Sequence, residues 1–170
     1  MLLVFGGLPG VGKTSIASRI ARSEPAVFLR IDTIEQAMQD ATGADPGAAG
    51  YYVAYELAAT QLRMGLKVVV DCVNPLPVTR AAWRQVASRA GCAMLEIEVV
   101  CSDTSEHRRR VERRAGDIPH LAPPDWADVQ ARGYVPWPEA HLVLDTATLA
   151  VEDAVEQVRQ AMRNSLKTLS

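Results

Sequence analysis

Some things are scarce in this 170-residue chain, and each scarcity argues against a class of protein. Cysteine occurs three times, at Cys72, Cys92 and Cys101, with no C-x-x-C pair and no histidine at ligand spacing. That pattern argues against a disulfide framework and against a zinc module; the thiols read as small hydrophobes in a reducing compartment. Long hydrophobic runs are missing as well. The first apolar run is only a few residues long, no basic segment precedes it, and no later run approaches the length of a membrane span. The expectation is a cytoplasmic protein with no leader and no membrane partner. An excess of charge of one sign is also lacking: the formal net charge is −2, so no overall field draws the chain onto nucleic acid or an anionic membrane. Such binding would need a local patch.

What is present suits a globular protein, with 48% hydrophobic and 22% charged residues. The length fits a single α/β domain over residues 1–170 with a proper core. The stretch that organises the rest is Gly7-Leu8-Pro9-Gly10-Val11-Gly12-Lys13-Thr14, followed by Ser15. It fits G-x-x-x-x-G-K-[ST] and lies between a strand-like run, Leu2 to Phe5, and a helix-like run, Lys13 to Arg22, which is the context the motif requires. Glycines let such a loop close on an anion, so that successive N–H groups and a helix N-terminus point at phosphate oxygens. Lys13 adds a positive charge for the β- and γ-phosphates, and the Thr14 hydroxyl is placed to ligate Mg²⁺. These residues predict a nucleoside-triphosphate site.

Further along, apolar runs alternate with amphipathic ones. Ala26 to Ile31 reads as a second strand with Asp32 at its carboxyl end, and in open α/β sheets that end faces the ligand crevice. A helical insertion over about 33–65 follows: a short helix from Thr33 to Asp40, a loop, and a longer helix from Tyr51 to Met64 stopped by Gly65. Tyr51 and Tyr55 on that helix read either as walls of an acceptor pocket or as plain packing residues. Lys67 to Cys72 is a buried strand carrying Asp71, a carboxylate suited to hold Mg²⁺ or its waters, and Asn74 begins the loop beyond it. Val78 to Ala90 is an amphipathic helix, and Cys92 to Cys101 a fourth strand in which Glu96 and Glu98 suggest partial exposure. His141 to Asp145 reads as a fifth strand and Val151 to Leu166 as a closing helix.

One charge run stands out, His107 to Arg114, inside a stretch of about 104–138 that continues through Gly116 and Pro119 to Pro124. Arg110 and Arg114 share a helical face, and a mobile Pro- and Gly-bearing segment behind them suits a lid that brings positive charge onto a transferring phosphoryl group. The same run also reads as a solvated face, or as phosphate contacts to nucleic acid.

With these features in this order, nearly the whole chain resembles the small P-loop kinases, a group that includes adenylate, shikimate and gluconate kinases, chloramphenicol phosphotransferase and the polynucleotide 5′-kinase domain. The resemblance implies an α/β P-loop NTPase fold: three α/β/α layers around a five-stranded parallel sheet of order 2-3-1-4-5, with a helical insertion and a lid. It implies ATP and Mg²⁺ as cofactors and transfer of the γ-phosphoryl group to an acceptor hydroxyl. By that likeness Asp32 is the base, Arg30 lies near an anionic substrate or orients Asp32, Arg110 and Arg114 match R-x-x-x-R on the lid helix, and Asp145-Thr146 lies near the adenine. No N-K-x-D occurs to select guanine. Two other readings keep the same nucleotide site: an ATP-gated binding module, and a 5′-hydroxyl polynucleotide kinase, which the net charge disfavours.

Overall fold

The computed structural model describes residues 1–167, with side chains to Ser165. Its centre is β1 (Leu2–Gly6), every residue of which is buried. Around it lie β2 (Ala26–Arg30), β3 (Lys67–Asp71), β4 (Met94–Val100) and β5 (Leu142–Asp145) in the order β2-β3-β1-β4-β5, all parallel. This is the expected sheet. Successive side chains of a strand point to opposite faces, so β1 splits its apolar residues between two cores. Leu3 and Phe5 pack with Ile16, Ala17 and Ile20 of α1 (Lys13–Ser23) and with Ala154, Val158 and Met162 of the last helix, Val151–Lys167. Leu2 and Val4 pack on the other face with Ala54, Tyr55, Ala58 and Leu62 of α3 (Ala49–Arg63) and with Trp83 and Val86 of α4 (Pro77–Arg89).

Of the boundaries that differ from the sequence reading, two matter for the site. The second strand stops at Arg30, and α2 (Ile31–Thr42) begins one residue before Asp32, which therefore sits in the first turn of a helix. Ile31 is the cause: its side chain is buried in the second core, so the chain turns inward there instead of running on as strand. The arginine-bearing helix, α5 (Thr104–Arg113), ends before Arg114, which caps it with extended backbone. Arg114 thus leaves the helical face shared by Glu106 and Arg110. A further helix, α6 (Trp126–Ala131), precedes β5, and the closing helix is α7.

Glu96 also departs from expectation. It is buried on β4, where Arg84 donates to both of its carboxylate oxygens at 2.8 and 3.0 Å. The segment between α6 and β5 is fastened by Arg80, a buried cation on α4. It donates to the carbonyls of Asn74 (3.1 Å), Pro75 (3.3 Å), Val135 (2.5 Å) and Pro136 (2.9 Å), and its guanidinium lies over the rings of Tyr134 and Trp137. All three cysteines are free thiols. Among the described residues no helix is long and apolar enough to cross a membrane.

Candidate active site

The parallel register decides which side chains meet at the carboxyl edge of the sheet. Phe5 pairs with Asp71, and Asp71 with Arg30, so the loop leaving β1 opens beside a carboxylate and a guanidinium. That loop turns on two glycines. Gly12 takes φ 95° as it caps α1, and Gly10 takes φ 85°, where a Cβ would come 2.5 Å from Val111 Cγ2 on α5. Neither position accepts a side chain without strain. The loop is also held from outside. His107 on α5 lies 2.8 Å from the Pro9 carbonyl through Nε2 and stacks edge-on against Trp126, while Thr146 donates from Oγ1 to the Val11 carbonyl at 2.8 Å.

A cavity of about 600 Å³ opens over the loop. Its lining includes Gly10, Gly12, Lys13, Thr14 and Ser15 from the loop and the start of α1, Asp32 from the first turn of α2, Asp71 from the end of β3, and Arg110, Arg113 and Arg114 from the α5 side. Lys13 is buried and donates to the Leu8 carbonyl at 2.8 Å. Burial lowers its pKa, against the opposing pull of Asp71 and Asp32, so further negative charge nearby favours the ammonium form. Thr14 Oγ1 donates to Asp71 Oδ2 at 2.6 Å. Burial raises the pKa of Asp71, while Lys13 and Thr14 favour its anion.

Thr14 and Asp71 are hard oxygen donors side by side, and among the described residues no group of three or more His, Cys, Asp or Glu converges on a metal position. This set fits Mg²⁺, which keeps most of its waters and takes phosphate oxygens besides one or two protein ligands.

Arg110 is fixed by neighbours. It donates to Glu106 at 2.7 Å, to Thr146 Oγ1 at 2.8 Å and to the Thr146 carbonyl at 3.0 Å, which locks the guanidinium onto the same threonine that steadies Val11. Asp145 itself accepts the backbone N–H groups of Ser102 and Ala147, each at 3.0 Å, and so shapes the turn. It is Thr146, with Leu149, Ala150 and Val151, that reaches the cavity wall.

A second cavity, of about 550 Å³, lies alongside and shares Pro9, Asp32, Val73, Arg114 and Asp117 with the first. Its remaining wall comes from α2 (Glu35, Gln36, Gln39), from Asp45 and Pro46, from the segment between α5 and α6, and from α6 and its end (Asp128, Ala131, Arg132). Asp32 makes no hydrogen bond or ion pair among the described residues and stands on the boundary between the two cavities. Glu35, one helical turn on, lines the second; burial first, and then Asp32, push its pKa up to about 7.

The other residues singled out from sequence lie elsewhere. Tyr55 is buried against Trp83, with ring centroids 4.5 Å apart, and Tyr51 takes the Asn74 backbone N–H on its hydroxyl at 3.0 Å. Asn74 is buried beneath the β3 loop with φ 50°. Neither cavity is walled by Tyr51, Tyr55 or Asn74, and the second cavity lies against α2. Arg30 is joined to Asp117, at 2.5 and 3.0 Å, and its Nε stands 3.8 Å from Asp71.

Asp117 and Glu35 were not singled out from the sequence, and His107 figured there only as the start of the charge run. Asp117 had no legible signal, because its partner Arg30 is 87 positions away. The signal for Glu35 is the helical spacing from Asp32, since three residues along a helix return to the same face; it needs the helix to begin before Asp32, as α2 does, and not at Thr33.

The AAA domain family model matches residues 2–132, and this span holds the loop, Asp32, Asp71 and the α5 arginines. The chain belongs to the AAA domain family. Among solved structures, this AAA domain is similar to the APS kinase CysC of Mycobacterium tuberculosis in complex with AMPPNP and APS (22% identity, 95% of this chain and 96% of that one, TM-score 0.72). It is also similar to a gluconokinase from Sinorhizobium meliloti (18%, 98% and 94%, 0.68) and to a sugar kinase from Janibacter (18%, 94% and 92%, 0.68). These likenesses carry the fold alone, the α/β fold of P-loop NTPases. No curated protein matches the sequence.

Proposed function

We propose that this AAA domain is an ATP-dependent phosphotransferase that moves the γ-phosphoryl group to a hydroxyl of a small molecule or nucleotide. The observation that carries the reading is the pair of adjoining cavities with Asp32 on their common boundary. A binding module that only reports ATP needs the first cavity; a transferase needs both, and a base where they meet.

In this reading the P-loop amides, Lys13 and the α1 N-terminus hold the triphosphate in the first cavity, with Mg²⁺ beside Thr14 and Asp71, and the acceptor occupies the second. When bound, the metal supplies charge neutralisation on the β- and γ-phosphate oxygens. The acceptor oxygen forms its bond to Pγ as the Pγ–O bond to ADP breaks, ADP leaves with that electron pair, and Asp32 takes the hydroxyl proton. Asp32 suits the role because no neighbour among the described residues occupies its carboxylate. Arg110 and Arg114 face the charge that spreads over the transferring group, and exclusion of water by the segment over the cleft protects ATP from hydrolysis.

The test is acceptor-dependent ADP release, screened over sugars, sugar acids, nucleosides, amino alcohols and 5′-hydroxyl oligonucleotides. We expect one class to stimulate turnover, and Asp32→Asn to keep MgATP affinity while losing roughly a hundredfold or more of that turnover. Stimulation by none of the panel favours an ATP-gated switch. Stimulation by oligonucleotides alone, with affinity falling steeply in salt, gives the polynucleotide kinase.

A further inference from the structure

We propose that the Asp117 carboxylate is an internal competitor for an oxyanion site that Arg30, from behind the cavity wall, and Arg114, on it, build beside the junction of the two cavities. The inference deepens the phosphotransferase reading and rests on it.

The geometry is that of a bound anion. Arg30 is more than nine-tenths buried and grips both carboxylate oxygens of Asp117, Nη1 to Oδ2 at 2.5 Å and Nη2 to Oδ1 at 3.0 Å. Arg114 adds a third contact, Nη2 to Oδ1 at 3.3 Å. Two guanidinium groups from different parts of the chain thus converge on one carboxylate, the arrangement that recognises phosphate, sulfate or a substrate carboxylate. The two guanidiniums hold the Asp117 carboxyl down at about 2, so it stays an anion at any working pH.

Asp117 nevertheless belongs to the least anchored part of the structure. Its side chain is 52% exposed, and between Arg113 and Trp126 there is neither helix nor strand. The cations are the fixed partners: Arg30 ends β2, paired with Asp71 in the sheet, and Arg114 caps α5. The Arg30 Nε is buried without a hydrogen bond, so the guanidinium has a donor to spare. Asp117 and Arg114 line both cavities, which puts the site where donor and acceptor phosphoryl chemistry meets. An arriving oxyanion therefore competes with Asp117 for the same forks, and winning it frees the 115–125 segment to rearrange.

Calorimetry on the full chain tests this by the sign of the effect. Asp117→Asn keeps the shape and removes the charge. Inorganic phosphate is expected to bind that variant about tenfold more tightly than wild type, the size of a lost charge-assisted competitor, while Asp117→Glu, which keeps the charge, stays near wild type. Equal or weaker phosphate binding by Asp117→Asn overturns the proposal and makes Asp117 a structural support.

Two arms identify the oxyanion. Tightening for MgATP but not MgADP assigns the site to the γ-phosphate; tightening for sulfate with protein saturated in Mg-AMPPNP assigns it to an anionic acceptor. Wild-type protein gives an independent reading, since phosphate should increase chymotryptic cleavage at Leu121, and protection there counts against the idea. Failure of wild type to bind MgATP removes the phosphotransferase reading, while the phosphate arm still decides this one.

Discussion

A single carboxyl shows how the second cavity responds to pH. Glu35 titrates near 7 in the folded chain against an ordinary 4.5, because burial and the neighbouring Asp32 disfavour its anion. Between those values the unfolded chain has already released the proton that the folded chain still holds, so stability falls as pH rises through that window and levels off above it. Asp45, Asp128 and Arg132 line the same cavity, with Arg114 and Asp117 at its edge; Arg132 opposes the effect and Asp45 adds to it. Glu35→Gln removes the penalty. Thermal melts should therefore show the variant gaining on wild type at pH 8 and matching it near pH 4.5. An equal difference at both pH values would mean that the Glu35 carboxyl is not shifted in the folded chain.

At the scale of the element, α5 carries the most work for its length. It begins at Asp103, whose side chain accepts the Glu106 N–H at 3.0 Å, and it presents His107 to the P-loop and Arg110 to Thr146. Asp103→Ala should cost about 1 kcal/mol of stability by urea unfolding, and should weaken MgATP binding severalfold because the loop loses its backing. The same helix marks the limit of what could be read in advance. Strands and helices were legible because the apolar runs are short and clearly separated, and the Gly7–Thr14 motif placed Lys13 and Thr14 without help from the structure. The ends of elements were harder. Asp32 and Arg114 each lie just past such an end, where a buried Ile31 in one case and a cap in the other decided the direction of the chain. The second cavity was illegible for a related reason: α2 and the segment after α5, far apart in sequence, face each other across it.

For the whole molecule, a ligand that binds only the folded state stabilises it by mass action, by about 2.7 kcal/mol at a hundred times its Kd. MgATP at that excess should raise the melting temperature of the wild type by several degrees, and Lys13→Ala should lose that shift together with turnover, measured by thermal denaturation and by ADP release. The cores on the two faces of the sheet leave the strands little freedom, so motion belongs to the stretch over the cleft. Arg80 says where that motion must stop. Its charge is balanced by four peptide dipoles and two aromatic rings, not by a counter-ion at the surface, and a buried arrangement of that kind is screened little by added salt. Raising ionic strength therefore loosens the half-exposed Asp117 pairing while the return strap at 134–137 stays bolted to α4, so any gate here swings from a fixed post on its downstream side.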